Sequence, residues 1–147
     1  LAVELAAHRD AGHRVVLTNG CFDVIHAGHV AYLRDARSQG DVLVVGVNVD
    51  DQVRAMKGDG RPVYNLEDRM AILAELACVD FVVAFEEPTA HQLIDDLMPD
   101  LYVKGGDYAP EEIAEHAHLI SRQIECRVLA HRPGLGSTDV IDHLRQC

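Results

Sequence analysis

A chain of 147 residues, 48% hydrophobic and 25% charged, has the composition of one globular domain, expected here to span 1–147 as a single unit. A formal charge of −11 excludes a non-specific nucleic-acid binder, which needs a basic footprint, and no apolar run approaches the roughly 20 residues that cross a bilayer. Any site for a polyanion must then be built locally, against the field of the whole chain, so the few cations are informative.

From Leu1 to Gly12 the pattern is that of an amphipathic helix, without the basic and then apolar order of a secretory signal. Arg14 to Thr18 is a short β-branched run that ends at Asn19-Gly20, and Gly28 to Ser38 has helical spacing. Asp41 to Asn48 is apolar on both faces, as a central parallel strand requires. Met56 to Tyr64 is polar and aperiodic. Asn65 is placed to cap the next helix, with Asp68 three residues on and Met70, Ile72, Leu73 and Leu76 as its apolar face.

Asp80 to Phe85 reads as a strand, and Thr89 opens a helix with Gln92 at the capping-box position. Leu101 to Lys104 is a strand that stops at Gly105-Gly106, and Pro110 sits in the first turn of another helix. Cys126 to Ala130 is the last strand; a final helix starts near Ser137. Five strands separated by helices, with no hairpin signal, predict an α/β fold: a Rossmann-like three-layer sandwich around a five-stranded parallel sheet. Ligands of such sheets sit beyond the carboxyl ends of the strands, where the glycine-bearing polar segments fall.

Cys21, Cys78, Cys126 and Cys147 form no CxxC pair and no zinc spacing, so free thiols of a cytoplasmic protein are expected. The chain opens on leucine, which is compatible with a processed chain or a domain cut from a longer one. His8, His13, His91, His116, His118, His131 and His143 have no motif around them and are expected to be solvated.

After the first strand come Asn19-Gly20-Cys21-Phe22-Asp23 and then His26-Ala27-Gly28-His29, with neither GxGxxG nor Walker A in their place. Residues three apart on a helix share a face, so His26 and His29 can point into one cavity. Gly28 lets a ligand approach the backbone, and a helix N-terminus suits a phosphate. An isolated HxxH is more often a pair of surface or core-satisfied histidines, and a zinc pair would need further ligands.

The chain has only two lysines, Lys57 and Lys104, each in a loop after a strand and each followed by glycine. Lys57 reads as a phosphate ligand or a solvated loop charge, Lys104 as a phosphate ligand or a partner of Asp107. Ser137 is a phosphate-binding hydroxyl or a plain helix cap. Asp23 and Asp50, at the ends of the first two strands, can accept from substrate hydroxyls, help hold Mg²⁺, or serve as turn residues.

Gly20-Cys21-Phe22-Asp23 followed by the HxGH at 26–29 resembles the signature of the cytidylyltransferase-like superfamily of nucleotidyltransferases. The resemblance runs on through Gly46-Val47-Asn48-Val49-Asp50, Lys57-Gly58, Arg61-Pro62, Glu67-Asp68-Arg69, Leu76 to Asp80, Val103 to Tyr108 and Ser137-Thr138. Within it, the adenylyltransferases of D-glycero-β-D-manno-heptose 1-phosphate are the nearest likeness and the glycerol-3-phosphate cytidylyltransferases a more distant one. What the resemblance implies is transfer of AMP from ATP, with Mg²⁺, to a sugar 1-phosphate, releasing pyrophosphate.

It implies catalytic roles for His26, His29 and Lys57, and nucleotide binding by Asn19, Gly20, Cys21, Phe22, Gly28, Lys104, Gly105, Gly106, Asp107, Arg132, Ser137 and Thr138. Acceptor binding falls to Asp23, Asp50 and Arg61, with no resident metal set on the protein. The family's usual Ser-Thr-Thr is broken here by Asp139, which can cap the helix or place a negative charge near phosphates. A homodimer is compatible with all of this. A non-catalytic nucleotide-binding module is the competing class, and binding of ATP without turnover would mark it.

Overall fold

The computed structural model describes residues 1–130 and 136–146, without the side chains of Ser137 and Thr138. Its five parallel strands are β1 (Val15–Gly20), β2 (Val42–Asn48), β3 (Phe81–Phe85), β4 (Leu101–Gly105) and β5 (Glu125–Leu129), in the order β3-β2-β1-β4-β5. Seven helices accompany them: α1 (Ala2–Asp10), α2 (Ala27–Arg37), α3 (Asp50–Lys57), α4 (Leu66–Ala74), α5 (His91–Leu97), α6 (His116–Ser121) and α7 (Ser137–Gln146).

Side-chain alternation along the strands builds two cores. Val15, Leu17, Val42, Val44 and Tyr102 face α1, α5 and α6 through Leu5, Ile94 and Leu119. Val16, Leu43, Val45, Leu101 and Val103 face α2 and α4 through Leu33 and Leu73. A strand buried on both sides has no polar face to spare, which is why β2 is buried along its whole length. The expected three-layer α/β sandwich is the fold observed.

Strand order reverses between β1 and β4, and there the pairing is short. β1 pairs with β2 from Val15 to Gly20, but with β4 only at Val16↔Leu101 and Leu17↔Tyr102. Beyond those residues the two strands part, and a crevice opens at their carboxyl ends. This is the place where open α/β sheets bind ligands.

Several local expectations change. The stretch before Met56 holds a helix, α3, that periodicity did not reveal, because Val53 is its one buried residue. Asn65 caps α4 as expected, accepting from the Asp68 N–H at 2.9 Å. On that helix, however, Ile72 is exposed and Arg69 is buried, in phase with Leu73. Thr89 does not cap α5. The helix begins after Ala90, whose N–H donates 3.1 Å to the buried Glu115 carboxylate, a partner too distant in sequence to foresee. Pro110 opens a single 3₁₀ turn (Pro110–Glu112), and α6 starts later, at His116. His91, His116 and His118 are half-buried rather than solvated: His118 pairs with Asp95 at 2.8 Å, and His91 stacks on it with ring centroids 4.7 Å apart.

Candidate active site

β1 delivers the signature to the crevice through strained backbone. Phe22 (φ 49°) and Val24 (φ 51°) both adopt left-handed conformations, which for a β-branched residue is a true outlier. Strain of this kind persists only where surrounding bonds over-determine it, and it gathers at functional sites. Here the over-determining residue is Asp23 between them. Its buried carboxylate accepts from Arg61 Nε at 2.6 Å, from the Val63 N–H at 2.9 and 3.0 Å, and from the Tyr64 N–H at 3.1 Å. Burial alone would raise its pKa, but those N–H groups and the Arg61 guanidinium outweigh it and hold the carboxyl below the usual aspartate range. Asp23 thus fastens the 61–64 segment to the signature.

His26 is not within α2 but caps it, in extended conformation (φ −138°, ψ 175°). Its Nδ1 accepts from the Gly28 N–H at 3.1 Å, and its own N–H donates 3.3 Å to Nδ1 of His29. The histidines form a reciprocal capping box, with ring centroids 4.0 Å apart and Phe22 packed on His29 at 5.7 Å. Because each Nδ1 accepts from a backbone N–H, the neutral rings carry their proton on Nε2, an assignment made from these bonds. The first turn of α2 therefore adds two imidazole donors to its own dipole.

β4 supplies the opposite wall. Lys104 Nζ donates to the Asn19 carbonyl at 3.3 Å, and the Tyr102 hydroxyl donates to the Asn19 side chain. Burial lowers the Lys104 pKa, with the Glu115 carboxylate and the Cys21 thiol opposing. The pairing of Lys104 with Asp107 is not formed; Asp107 is exposed. Tyr108 folds back over the loop: its hydroxyl donates to the Gly105 carbonyl at 3.1 Å, and a Cβ on Gly106 would stand 2.1 Å from its ring. A side chain at 106 would have to push that ring aside.

Cys21 records how the cations converge. Burial pushes its thiol up, while Lys57, Arg69 and Lys104 all pull it down and Asp23 pushes it further up. Both lysines of the chain therefore act at the end of β1. Lys57 ends α3, exposed and without a hydrogen bond or salt bridge among the described residues. Gly58 follows it at φ 90°, where a side chain would be strained. Arg69, which the sequence singled out only within a motif, proves to be the keystone. Fully buried, it donates to the Cys21 carbonyl, to the Tyr64 carbonyl at 3.1 Å and to Asp50 at 2.7 Å. Its phase with Leu73 was the signal available for finding it.

Asp50 keeps a partly exposed carboxylate. Arg61 lies beside Asp23. Ser137 and Thr138 begin α7, and Asp139 turns back to accept from the Gly136 N–H at 3.0 Å, which realises its capping alternative. Arg132 lies outside the described residues. Among those residues no three His, Cys, Asp or Glu side chains gather as metal ligands, and no helix is long and apolar enough to cross a membrane. Cys21, Cys78 and Cys126 are free thiols.

A family model described as cytidylyltransferase-like matches residues 17–143, from β1 into the last helix. The chain belongs to that family. Among curated proteins it is 52% identical over 145 residues to a bifunctional protein HldE of Psychromonas ingrahamii, covering 99% of this chain and 30% of that protein. It is 51% identical over 146 residues to the HldE of Aeromonas hydrophila, covering 99% and 31%. The chain thus spans under a third of the length of these relatives. Among solved structures, a lipopolysaccharide core biosynthesis protein from Thermoplasma volcanium superposes with a TM-score of 0.69 at 26% identity, over 82% of this chain and 98% of that one. A pantothenate synthetase from Thermus thermophilus (TM-score 0.58, 20% identity, 86% and 59% covered) shares the fold. The matched span includes the HxGH at 26–29.

Proposed function

We propose that this chain transfers AMP from ATP to a sugar 1-phosphate, D-glycero-β-D-manno-heptose 1-phosphate, giving an ADP-sugar and pyrophosphate. Nucleotidyl transfer follows from the family; adenine and heptose rest on the likeness of the signature to the heptose 1-phosphate adenylyltransferases, and the similarity to part of the bifunctional HldE proteins supports them. The observation that carries the reading is the histidine capping box, which presents two Nε2 donors at a helix N-terminus beside both lysines of the chain.

An oxygen of the acceptor phosphate attacks the α-phosphorus in line. The new P–O bond forms as the bond to the bridging oxygen breaks, and pyrophosphate takes the electron pair. The nucleophile is already an anion, so neither a strong base nor a covalent enzyme nucleophile is required. Catalysis is positioning plus neutralisation of spreading charge. His26 and His29 donate to the α-phosphate and the bridging oxygen, Lys57 clamps phosphates, and Asn19 with the Lys104–Gly106 backbone frames the base. Asp50, with its partly exposed carboxylate, is the residue that would hold Mg²⁺, which when bound would supply charge neutralisation for the pyrophosphate. Free thiols and ATP as donor support a cytoplasmic reaction.

The test is pyrophosphate release with heptose 1-phosphate and each of the four NTPs. Release with ATP alone is expected. Release with CTP and glycerol 3-phosphate instead would reassign both substrates, and ATP binding without turnover of any acceptor would remove the catalytic reading.

A further inference from the structure

A second cavity, of about 390 Å³, lies between the segment after α3 and the last helix. Lys57, the last residue of α3, and Arg61 line it on one side and Arg145 of α7 on the other, with Asp59 and Asp142 as its acidic lining. Three cations against two carboxylates leave it net positive in a chain whose formal charge is −11. That is the local departure a polyanion requires.

Arg61 is the fixed part of this site. Its Nε is held by Asp23 at 2.6 Å, and Asp23 is held in turn by the Val63 and Tyr64 N–H groups, so the guanidinium cannot turn away without breaking buried bonds. Yet Nη2 of the same guanidinium is buried with no hydrogen-bond partner among the described residues. Arg61 also lines the cavity, so the rest of its fork is placed to meet an oxygen-rich ligand there. Arg145 is the adaptable part: it is 77% exposed, and its contact with Asp142 is a loose 3.7 Å pair within one helical turn. Pairs of that kind are cheaply exchanged.

We propose that this cavity seats a substrate phosphate, with Arg61 as the preset donor and Lys57 and Arg145 as cations that close on it. α7 is then a wall of the active site and not merely packing. The inference rests on the nucleotidyl-transfer reading and deepens it, because it brings in a residue of the last helix that the signature does not contain. Two groups carry the required chemistry: the phosphate of the acceptor, and the β,γ end of the nucleotide.

The experiment compares Arg145→Ala and Arg61→Lys with Arg54→Ala, which removes the same charge from an exposed pair with Asp51 outside the cavity. Steady-state kinetics on both substrates are joined to calorimetric titration of inorganic pyrophosphate and inorganic phosphate. Arg145→Ala is expected to weaken binding about three- to fivefold at low ionic strength. Arg61→Lys is expected to weaken it about tenfold, because an ammonium cannot hold Asp23 and present a second donor in a fixed fork.

A rise in KM for the sugar phosphate alone assigns the seat to the acceptor. A joint rise in KM for ATP and in the pyrophosphate dissociation constant assigns it to the nucleotide. If Arg145→Ala behaves as Arg54→Ala does in kinetics and titration alike, the seat is overturned. Should no acceptor be turned over, the reading of the function fails separately and the titration decides: anion binding weakened by Arg145→Ala sustains the seat, and unchanged or absent binding removes it.

Discussion

The two ends of the sheet are built from the same residue types for opposite purposes. At the amino ends, aspartates ahead of three strands accept a backbone N–H from a neighbouring strand: Asp41 from Arg14, Asp80 from Leu43 and Asp100 from Val15. Ion pairs there are half-exposed, as in Arg37–Asp80 and the Arg14–Glu125–Arg127 chain. At the carboxyl ends, Asp23 and Arg69 are fully buried, and Lys104 is pressed into low dielectric. A frame needs only satisfied N–H groups, which exposed carboxylates supply at little cost. A site for polyanions needs charge fixed in advance, which means burying it in a lattice of bonds.

The sharpest way to break this contrast is at the imidazoles. His26→Ala or His29→Ala removes a donor aimed at developing charge, and turnover should fall roughly 10²–10³-fold. Pyrophosphate release measures it, and circular dichroism checks that the fold remains. Wild-type turnover in either variant would return the histidines to the role of a mere helix cap.

Next in size is Arg69→Met. It strips one guanidinium from two carbonyls and from Asp50, and we expect a loss of about 3 kcal/mol in urea unfolding. Arg69→Lys should recover only part of that, since one ammonium cannot span three acceptors in a plane. A loss under 1 kcal/mol would mean that the carboxyl-end lattice is decoration.

Much of this was legible in residue order, and the reasons are physical. β2 announced itself because a strand buried on both faces must be apolar at every position, and Asn65 because a cap acts within three residues. The HxGH was legible by resemblance, but its geometry was not: His26 sits outside the helix, and the reciprocal bonds emerge only once the chain turns. Hidden were the long-range partners. Glu115 capping α5 from 25 residues away, Asp23 holding 61–64 and Arg69 joining three segments are choices among many carboxylates and carbonyls that local pattern does not rank. α3 was missed for another cause, since its eight residues are mostly polar and bury one valine, so the segment reads as loop.

Asp23→Asn tests the buried lattice through pH. The folded carboxyl releases its proton more readily than in the unfolded chain, so its contribution is complete above the ordinary value of 3.8 and disappears as pH falls through the lower folded value. Wild type should therefore lose stability on that acid limb. The asparagine variant should begin about 2 kcal/mol lower at neutral pH, with Arg61 left uncompensated, and show a flatter limb. Parallel curves would show that other carboxylates govern the acid transition.

The smallest effect is expected at the frame. Asp80→Ala removes the acceptor for the Leu43 N–H at 2.7 Å and the partner of Arg37 at 2.9 Å, but the Asp80 carboxylate is itself exposed, and water can take its place. We expect a loss of about 1 kcal/mol. Catalysis should be untouched, because nothing at this end contacts the crevice and strand pairing between β2 and β3 remains. Measuring stability and pyrophosphate release on the same preparation separates the two ends directly. If Asp80→Ala lowered turnover as steeply as it lowered stability, the sheet would be transmitting strain from one end to the other, and the division between a tolerant frame and a preset site would not hold.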